Sequence, residues 1–248
     1  MTDIVQISDE AKERLERAKS RSVMILSPIA RNPVWQFTAS LASTIMTLNE
    51  HGIRCAFNFV VGSSVVHRAR NELLAFFLAA DSFTDALFID DDMEWSPNDV
   101  LRLLGSDKPV IGGVGRMRVQ APNSDPSVWC WRPIHNERGE LNTDDMGAVE
   151  VAGVGGAFLL INKGILVDML EAHPEWKVSS PKDWPDHIKP FHYEVFRPEQ
   201  KGDMFTSEDF VFCNRVREFG GSVWVDPTIT LGHVGTYNYR GSIQEVLK

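Results

Sequence analysis

The chain is short of cysteine, has no long apolar run, and carries more acid than base. Its three cysteines, Cys55, Cys130 and Cys213, stand far apart among 248 residues. They form neither a disulfide framework nor the paired spacing of a zinc site, so a reducing, cytoplasmic home is expected. No apolar stretch reaches the ~20 residues of a membrane-spanning helix, so no membrane span is expected. The segment Thr2 to Ser20 is charged and reads as a helix rather than a secretory leader. Lys and Arg number 25 against 34 Asp and Glu, a formal charge of −9. That balance argues against nucleic acid or an anionic membrane as the main partner. A nucleotide is still allowed, because it needs only a few local cations and a metal. No internal repeat or low-complexity tract is visible.

Hydrophobic residues make up 43% and charged residues 24%, ordinary globular values that let a chain of this length bury a substantial core. The order of elements is informative. After the N-terminal helix (1–20), Ser22 to Leu26 is a short β-run closed by Ser27-Pro28. Val34 to Glu50 has helical periodicity and stops at His51-Gly52. Ile53 to Val61 reads as a strand, Val65 to Ala80 as a helix, and Asp85 to Ile89 as a third strand. Pro97 to Leu104 is a helix with proline in its first turn, followed by a strand from Pro109 to Ile111. Strands alternating with helices predict an α/β fold with a mostly parallel central sheet flanked by helices. The second half is less regular. Val149 to Ile161 is strand material broken by Gly153, Gly155 and Gly156, Ser207 to Phe219 is a helix, and short strands cover Ser222 to Val225 and Thr230 to His233. We read one domain, 1–248, with a regular nucleotide-type half (22–113) and an irregular half (114–240).

The strongest chemical signal is Asp90-Asp91-Asp92, placed directly after Ala86-Leu87-Phe88-Ile89. Three adjacent acids repel one another, and an apolar strand gains nothing by ending in them. A bound cation explains the cluster, although a solvated turn with an acid capping the next helix is the plainer alternative. In an extended chain Asp90 and Asp92 point the same way and can share one hard cation, while Asp91 faces elsewhere. Carboxylates without soft ligands suit Mg²⁺ or Mn²⁺. In open α/β sheets ligands gather beyond the carboxyl ends of the strands. Ser27-Pro28, Gly62-Ser63-Ser64 and Asp90 to Asp92 all fall there.

Other groups join these acids. On the second predicted helix, Arg68 and Arg70 cannot share a face, so one can reach the ligand edge while the other is solvated or pairs with Glu72. Arginine beside a metal-bound carboxylate suits a pyrophosphate held bidentately. Gly153-Val154-Gly155-Gly156 lets backbone approach a ligand or adopt positive φ, or is simply a bulge. Ser207-Glu208-Asp209 opens a helix. Thr206 or Ser207 would cap it in the ordinary reading, while in a functional one an acid is a general base. His233, between Gly232 and Val234-Gly235, is either structural or a ligand, since neutral imidazole is acceptable to Mn²⁺. Trp129, Trp131, Trp184 and Tyr193 fall in the irregular half, where such rings can fill the core.

Taken in order, these groups resemble the GT-A glycosyltransferases, particularly small ones allied to the large inverting family 2 group. The matching residues are Arg68-Ala69-Arg70-Asn71, Phe88-Ile89-Asp90-Asp91-Asp92, the Gly153 to Phe158 loop, Ser207-Glu208-Asp209 and His233. They span Ser22 to about Tyr239. The resemblance implies a GT-A (nucleotide-diphospho-sugar transferase) fold with an irregular acceptor-side half. It also implies Mn²⁺ or Mg²⁺ held by Asp90, Asp92 and His233, with Asp209 as base and Glu208 as its neighbour. Donor contacts would come from Ser27, Pro28, Arg68, Arg70, Asn71, Asp90, Asp91, Gly155 and Gly156, and acceptor contacts from the four aromatics. The partners implied are a UDP- or GDP-linked sugar and a glycan or other hydroxyl acceptor. The family's acidic base-reading residue after the second strand has no obvious counterpart.

Three other activities compete. A sugar-phosphate nucleotidyltransferase would carry a Gly-rich loop after the first strand, whereas Ser27-Pro28-Ile29-Ala30-Arg31 has no glycine. An aspartyl phosphatase would carry a hydroxyl residue soon after the acids, but Met93-Glu94-Trp95 follows. A non-catalytic, metal-dependent carbohydrate-binding module would leave Asp209 and the arginines without a task.

Overall fold

Strands buried on both faces read as unbroken apolar runs, and three such runs lie at the centre of this protein. The computed structural model describes residues 9–247, so the part of the expected N-terminal helix before Asp9 lies outside the described residues. In chain order the elements are α1 (Asp9–Lys19), β1 (Ser22–Ile29), α2 (Trp35–Glu50), β2 (Arg54–Val61), α3 (Val66–Ala79), β3 (Asp85–Ile89) and β4 (Met93–Glu94). Then come α4 (Pro97–Leu104), β5 (Val110–Gly112), β6 (Trp131–Pro133), β7 (Val149–Val154), β8 (Phe158–Asn162) and α5 (Lys163–Ala172). The last are β9 (Glu199–Lys201), β10 (Met204–Thr206), α6 (Glu208–Glu218), β11 (Val223–Val225), β12 (Leu231–Val234) and β13 (Asn238–Gly241).

Eight strands form the central sheet in the order β2-β1-β3-β8-β5-β11-β7-β6. The first three are parallel, as are β5 and β11. β8 runs against β3 and β5, and β7 against β11 and β6. The remaining strands share one direction. The expected fold class, α/β with a large, mostly parallel central sheet flanked by helices, therefore holds. Successive residues of a strand face opposite sides. Met24, Leu26, Ala86 and Phe88 face one layer with Leu73, Leu74 and Phe77 of α3, Leu166 of α5 and Phe212 of α6. Val23, Ile25, Leu87 and Ile89 face the other, with Phe37 and Leu48 of α2 and Val100 and Leu103 of α4.

Some boundaries depart from the sequence reading. β1 does not close at Ser27-Pro28 but continues to Ile29. Its pairing with β3 ends at Leu26, so Pro28 lies where only β2 runs alongside, a place that tolerates a residue without an N–H. The glycine-interrupted run is two strands that are not neighbours, with β5 and β11 between them. A smaller sheet, β13-β12-β4, sets His233 opposite Met93 and so beside Asp92. Among the described residues, no helix is long and apolar enough to cross a membrane.

Candidate functional site

β3 ends at Ile89, and the three acids occupy the turn before β4. The strand alternation expected for them therefore does not apply, and each carboxylate has its own partner. The capping alternative also fails: Ser96 caps α4, in a reciprocal capping box with Asp99. Asp91 Oδ2 accepts from the Ala30 N–H (2.9 Å), and its carbonyl accepts from the Val34 N–H (3.0 Å). Asp91 thereby pins the chain between β1 and α2. Asp90 pairs with Arg70, and Asp92 with Arg118 and His233.

Arg70 is the hub. Its side chain is only 3% exposed, and its Nη2 donates to both Asp90 oxygens at 2.8 and 3.1 Å. Nη1 donates to the Gly156 carbonyl (2.8 Å), and Nε lies 3.5 Å from Glu208. Burial pushes the Asp90 carboxyl up to about 6 against the pull of Arg70, and the charges of Asp92 and Glu208 add to the rise. Of the two arginines, two positions apart on α3, Arg70 turns inward while Arg68 is exposed, with its charge acting on Glu72. Asn71 faces neither the cleft nor solvent. Its amide exchanges two hydrogen bonds with the Phe196 backbone (2.7 and 2.8 Å), so it fastens the 189–198 segment to α3 and is not placed to touch a donor.

His233 Nδ1 lies 2.8 Å from the Arg116 carbonyl. A carbonyl can only accept, so Nδ1 carries the proton. That leaves Nε2, 3.3 Å from Asp92 Oδ2, to carry a second proton or share a cation with the carboxylate. Burial alone would raise the Asp92 pKa. The hydrogen bond and charge of His233, with the charge of Arg118, instead hold it below the usual carboxylate value. Burial alone would lower the His233 ring, and Asp92 and the Arg116 carbonyl raise it. One carboxylate and one imidazole with its far nitrogen locked on a carbonyl form a donor pair acceptable to Mn²⁺, whereas Mg²⁺ prefers oxygen ligands alone. The expected three-ligand set is not assembled, because Asp90 is turned onto Arg70. Among the described residues no group of three or more His, Cys, Asp or Glu is gathered to hold a metal.

Asp209 and Glu208 open α6, and Asp209 Oδ2 accepts from the Gly156 N–H (3.1 Å). Its Oδ1 is held by the Ser207 hydroxyl and the Phe210 N–H. Ser207 is the N-cap residue by backbone position, yet its hydroxyl makes no capping bond, contrary to the ordinary expectation. The glycines serve close approach rather than positive φ, which none of them adopts. A Cβ on Gly153 would meet Phe210 at 2.6 Å, one on Gly155 would meet Cys130 at 2.8 Å, and one on Gly156 would meet Arg70 at 3.0 Å. What crowds them is the protein itself.

Two concavities adjoin at Val66, Asp90 and His233. One is lined by Pro28, Ala30, Ser63, Asp91, Asp92 and Arg118. The other is lined by Arg70, Arg116, Met117, Cys130, Gly155, Gly156, Glu208 and Asp209. Ser27 is fully buried within β1 and does not reach either. None of the four expected acceptor aromatics lines them. Trp129 is a core residue, 3% exposed, whose indole N–H donates to the Asn123 carbonyl. Trp131 and Tyr193 pack against the same core, and Trp184 packs on Phe76 and His192. Aromatic rings supply the apolar area that an irregular half needs. Arg116, Arg118 and Cys130 also line the concavities, though none is among the expected site residues. The two arginines had a legible signal, since they follow Gly112-Gly113 just past the carboxyl end of β5, where ligands gather.

The fold and the cleft thus define an α/β protein whose carboxylates, histidine and arginines collect at the carboxyl edge of its central sheet. No protein-family profile and no curated protein matches the sequence. Among solved structures, A197 from STIV is 14% identical, with 90% of this chain and 91% of that one covered at a TM-score of 0.53. That likeness shows a shared fold. A Drosophila β1,4-galactosyltransferase 7 mutant in complex with manganese, UDP-Gal and xylobiose is 15% identical, covering 90% of this chain and 71% of that one at a TM-score of 0.42. A glycosyltransferase involved in glycosylation of the major capsid of PBCV-1 is 11% identical, covering 67% and 71% at a TM-score of 0.32.

Proposed function

We propose that this chain is a divalent-metal-dependent glycosyltransferase of GT-A fold. It moves a sugar from a nucleoside-diphosphate donor, UDP- or GDP-linked, to a hydroxyl of a glycan or other acceptor, with inversion. One observation carries the reading: the Asp92–His233 pair and Asp209 line adjoining concavities that share Asp90, Val66 and His233. In this reading 1–248 is one domain with a donor half (22–113) and a catalytic half (114–240). Three free thiols support a reducing compartment, the cytoplasm.

Asp92 and His233 would hold the metal, with the Arg116 carbonyl fixing the imidazole ring. When bound, the ion offsets the negative charge that develops on the departing diphosphate. Arg118, already 3.1 Å from Asp92, adds a guanidinium on the same side. Arg70 acts as a positioning residue that holds Asp90, Glu208 and the Gly156 backbone in register. Asp209 accepts the proton of the attacking hydroxyl at Oδ2. Its Oδ1 is held by two donors, so the carboxylate is oriented before the acceptor arrives. Calorimetric titration of the whole protein with UDP- and GDP-sugars, with and without Mn²⁺, tests the reading. Metal-assisted binding of at least one donor is expected, and the absence of any such binding overturns it.

A further inference from the structure

Beside the cleft lies a third concavity, between the 116–123 segment and β13, lined by Arg116, Gln120, Asn123, Tyr237, Tyr239 and Arg240. Its wall is braced. The buried Arg116 donates to the carbonyls of Met117, Val119 and Ala121, and its guanidinium lies 5.2 Å from the Tyr239 ring centre. Tyr237 stands edge-on to Tyr239, 5.2 Å between ring centres at 78°, yet is 66% exposed. A largely exposed aromatic ring therefore stands on a braced support, where the core gains nothing from it. The cations are already engaged: Arg240 pairs with Glu94 at 2.9 Å, and Arg116 is spent on carbonyls. The remaining polar groups are amides and phenols. Ring faces with a few neutral hydrogen-bonding groups and no free charge match an uncharged pyranose, not a phosphate.

We infer that this concavity is a saccharide subsite taking a neutral sugar unit of the acceptor, remote from the reacting hydroxyl, so that the acceptor is an oligosaccharide. Assigning it to the acceptor rests on the glycosyltransferase reading, whereas saccharide binding there does not. The concavity shares Arg116 with the space around Asp209 and no residue with the space around Asp91 and Asp92, so it continues the side of the proposed base.

The test is calorimetry of the full chain, without donor, against cello-, xylo-, manno- and maltotetraose and the corresponding monosaccharides. At least one tetraose binds, and more tightly than its monosaccharide. Tyr237→Ala weakens that binding roughly tenfold, the loss of a stacked ring, while Tyr237→Phe keeps it. Mn²⁺-assisted UDP binding stays at the wild-type value in both variants. If no tetraose binds, or Tyr237→Ala binds as well as wild type, the inference is overturned, whatever the nucleotide result. If Tyr237→Ala loses tetraose binding but the wild-type protein takes up no nucleotide, the subsite stands and the transferase reading falls.

Discussion

Replacing Arg70 with Met removes the guanidinium on which two part-buried carboxylates depend. Met fills much of the same volume, so packing changes little and the charge effect dominates. Asp90 loses a partner at 2.8 Å and Glu208 one at 3.5 Å, with side chains 27% and 13% exposed. Removing one member of a buried ion pair costs about 3–5 kcal/mol. For a domain of this size each kcal/mol moves Tm by roughly 2–4 °C, so a drop of roughly 6–20 °C is expected. The loss should also depend on pH. The Asp90 carboxyl already sits at about 6, above its ordinary 3.8, so ionising it costs the folded state stability as pH rises between those values. Without Arg70 the main force restraining that rise is gone, and Asp90 takes up a proton at still higher pH. Below about pH 5.5 the carboxyl is mostly neutral and no longer needs a counter-charge, so the cost should fall by roughly half relative to pH 8. Thermal melts of wild type and Arg70→Met at both pH values measure this. Adding Asp90→Asn should recover about 0.5–3 kcal/mol at pH 8 through the coupling of the two sites. A loss below about 1 kcal/mol, or one equal at both pH values, would refute the charge argument.

Asn71→Ala should cost about 1–3 kcal/mol in urea denaturation, because the Phe196 N–H and carbonyl lose their buried partner; donor binding by the folded variant should be unchanged. Gly153→Ala should cost about 1–3 kcal/mol through its clash with Phe210, and Phe210→Ala should relieve it, which a purely conformational role for the glycine would not allow. Asp92→Ala should abolish Mn²⁺-dependent donor turnover in a folded protein, and turnover at the wild-type rate would remove Asp92 from the metal site. Asp209→Asn should bind nucleotide with metal as well as wild type but lose transfer by about 10²-fold or more in a single-turnover assay; near wild-type transfer would exclude it as the base.

The middle of the central sheet is legible because β1, β3 and β8 are buried on both sides and carry near-continuous apolar runs between helical periods. The acids after Ile89 stood out for a related reason, since nothing in strand packing calls for three carboxylates. Sequence is least informative where a residue's role depends on what comes to lie against it. Trp129 and Trp184 look alike in the chain, yet one fills the core and the other packs on α3. Gly153, Gly155 and Gly156 suggested freedom of φ, whereas what matters is the approach of Phe210, Cys130 and Arg70 from distant parts of the chain.

The α/β class, the order of its elements and the placing of Asp90 to Asp92 at the carboxyl edge of the sheet can be read from the chain alone. Those follow from local periodicity and chain direction, which are short-range properties. The partners emerge in the folded state alone: Arg70 with Asp90, Asp92 with His233 and Arg118, Asn71 with Phe196, Asp209 with the Gly156 N–H. Each joins groups at least 20 residues apart. Several of them rest on strands from the second half: β8 lies between β3 and β5, and β12, which carries His233, pairs with β4.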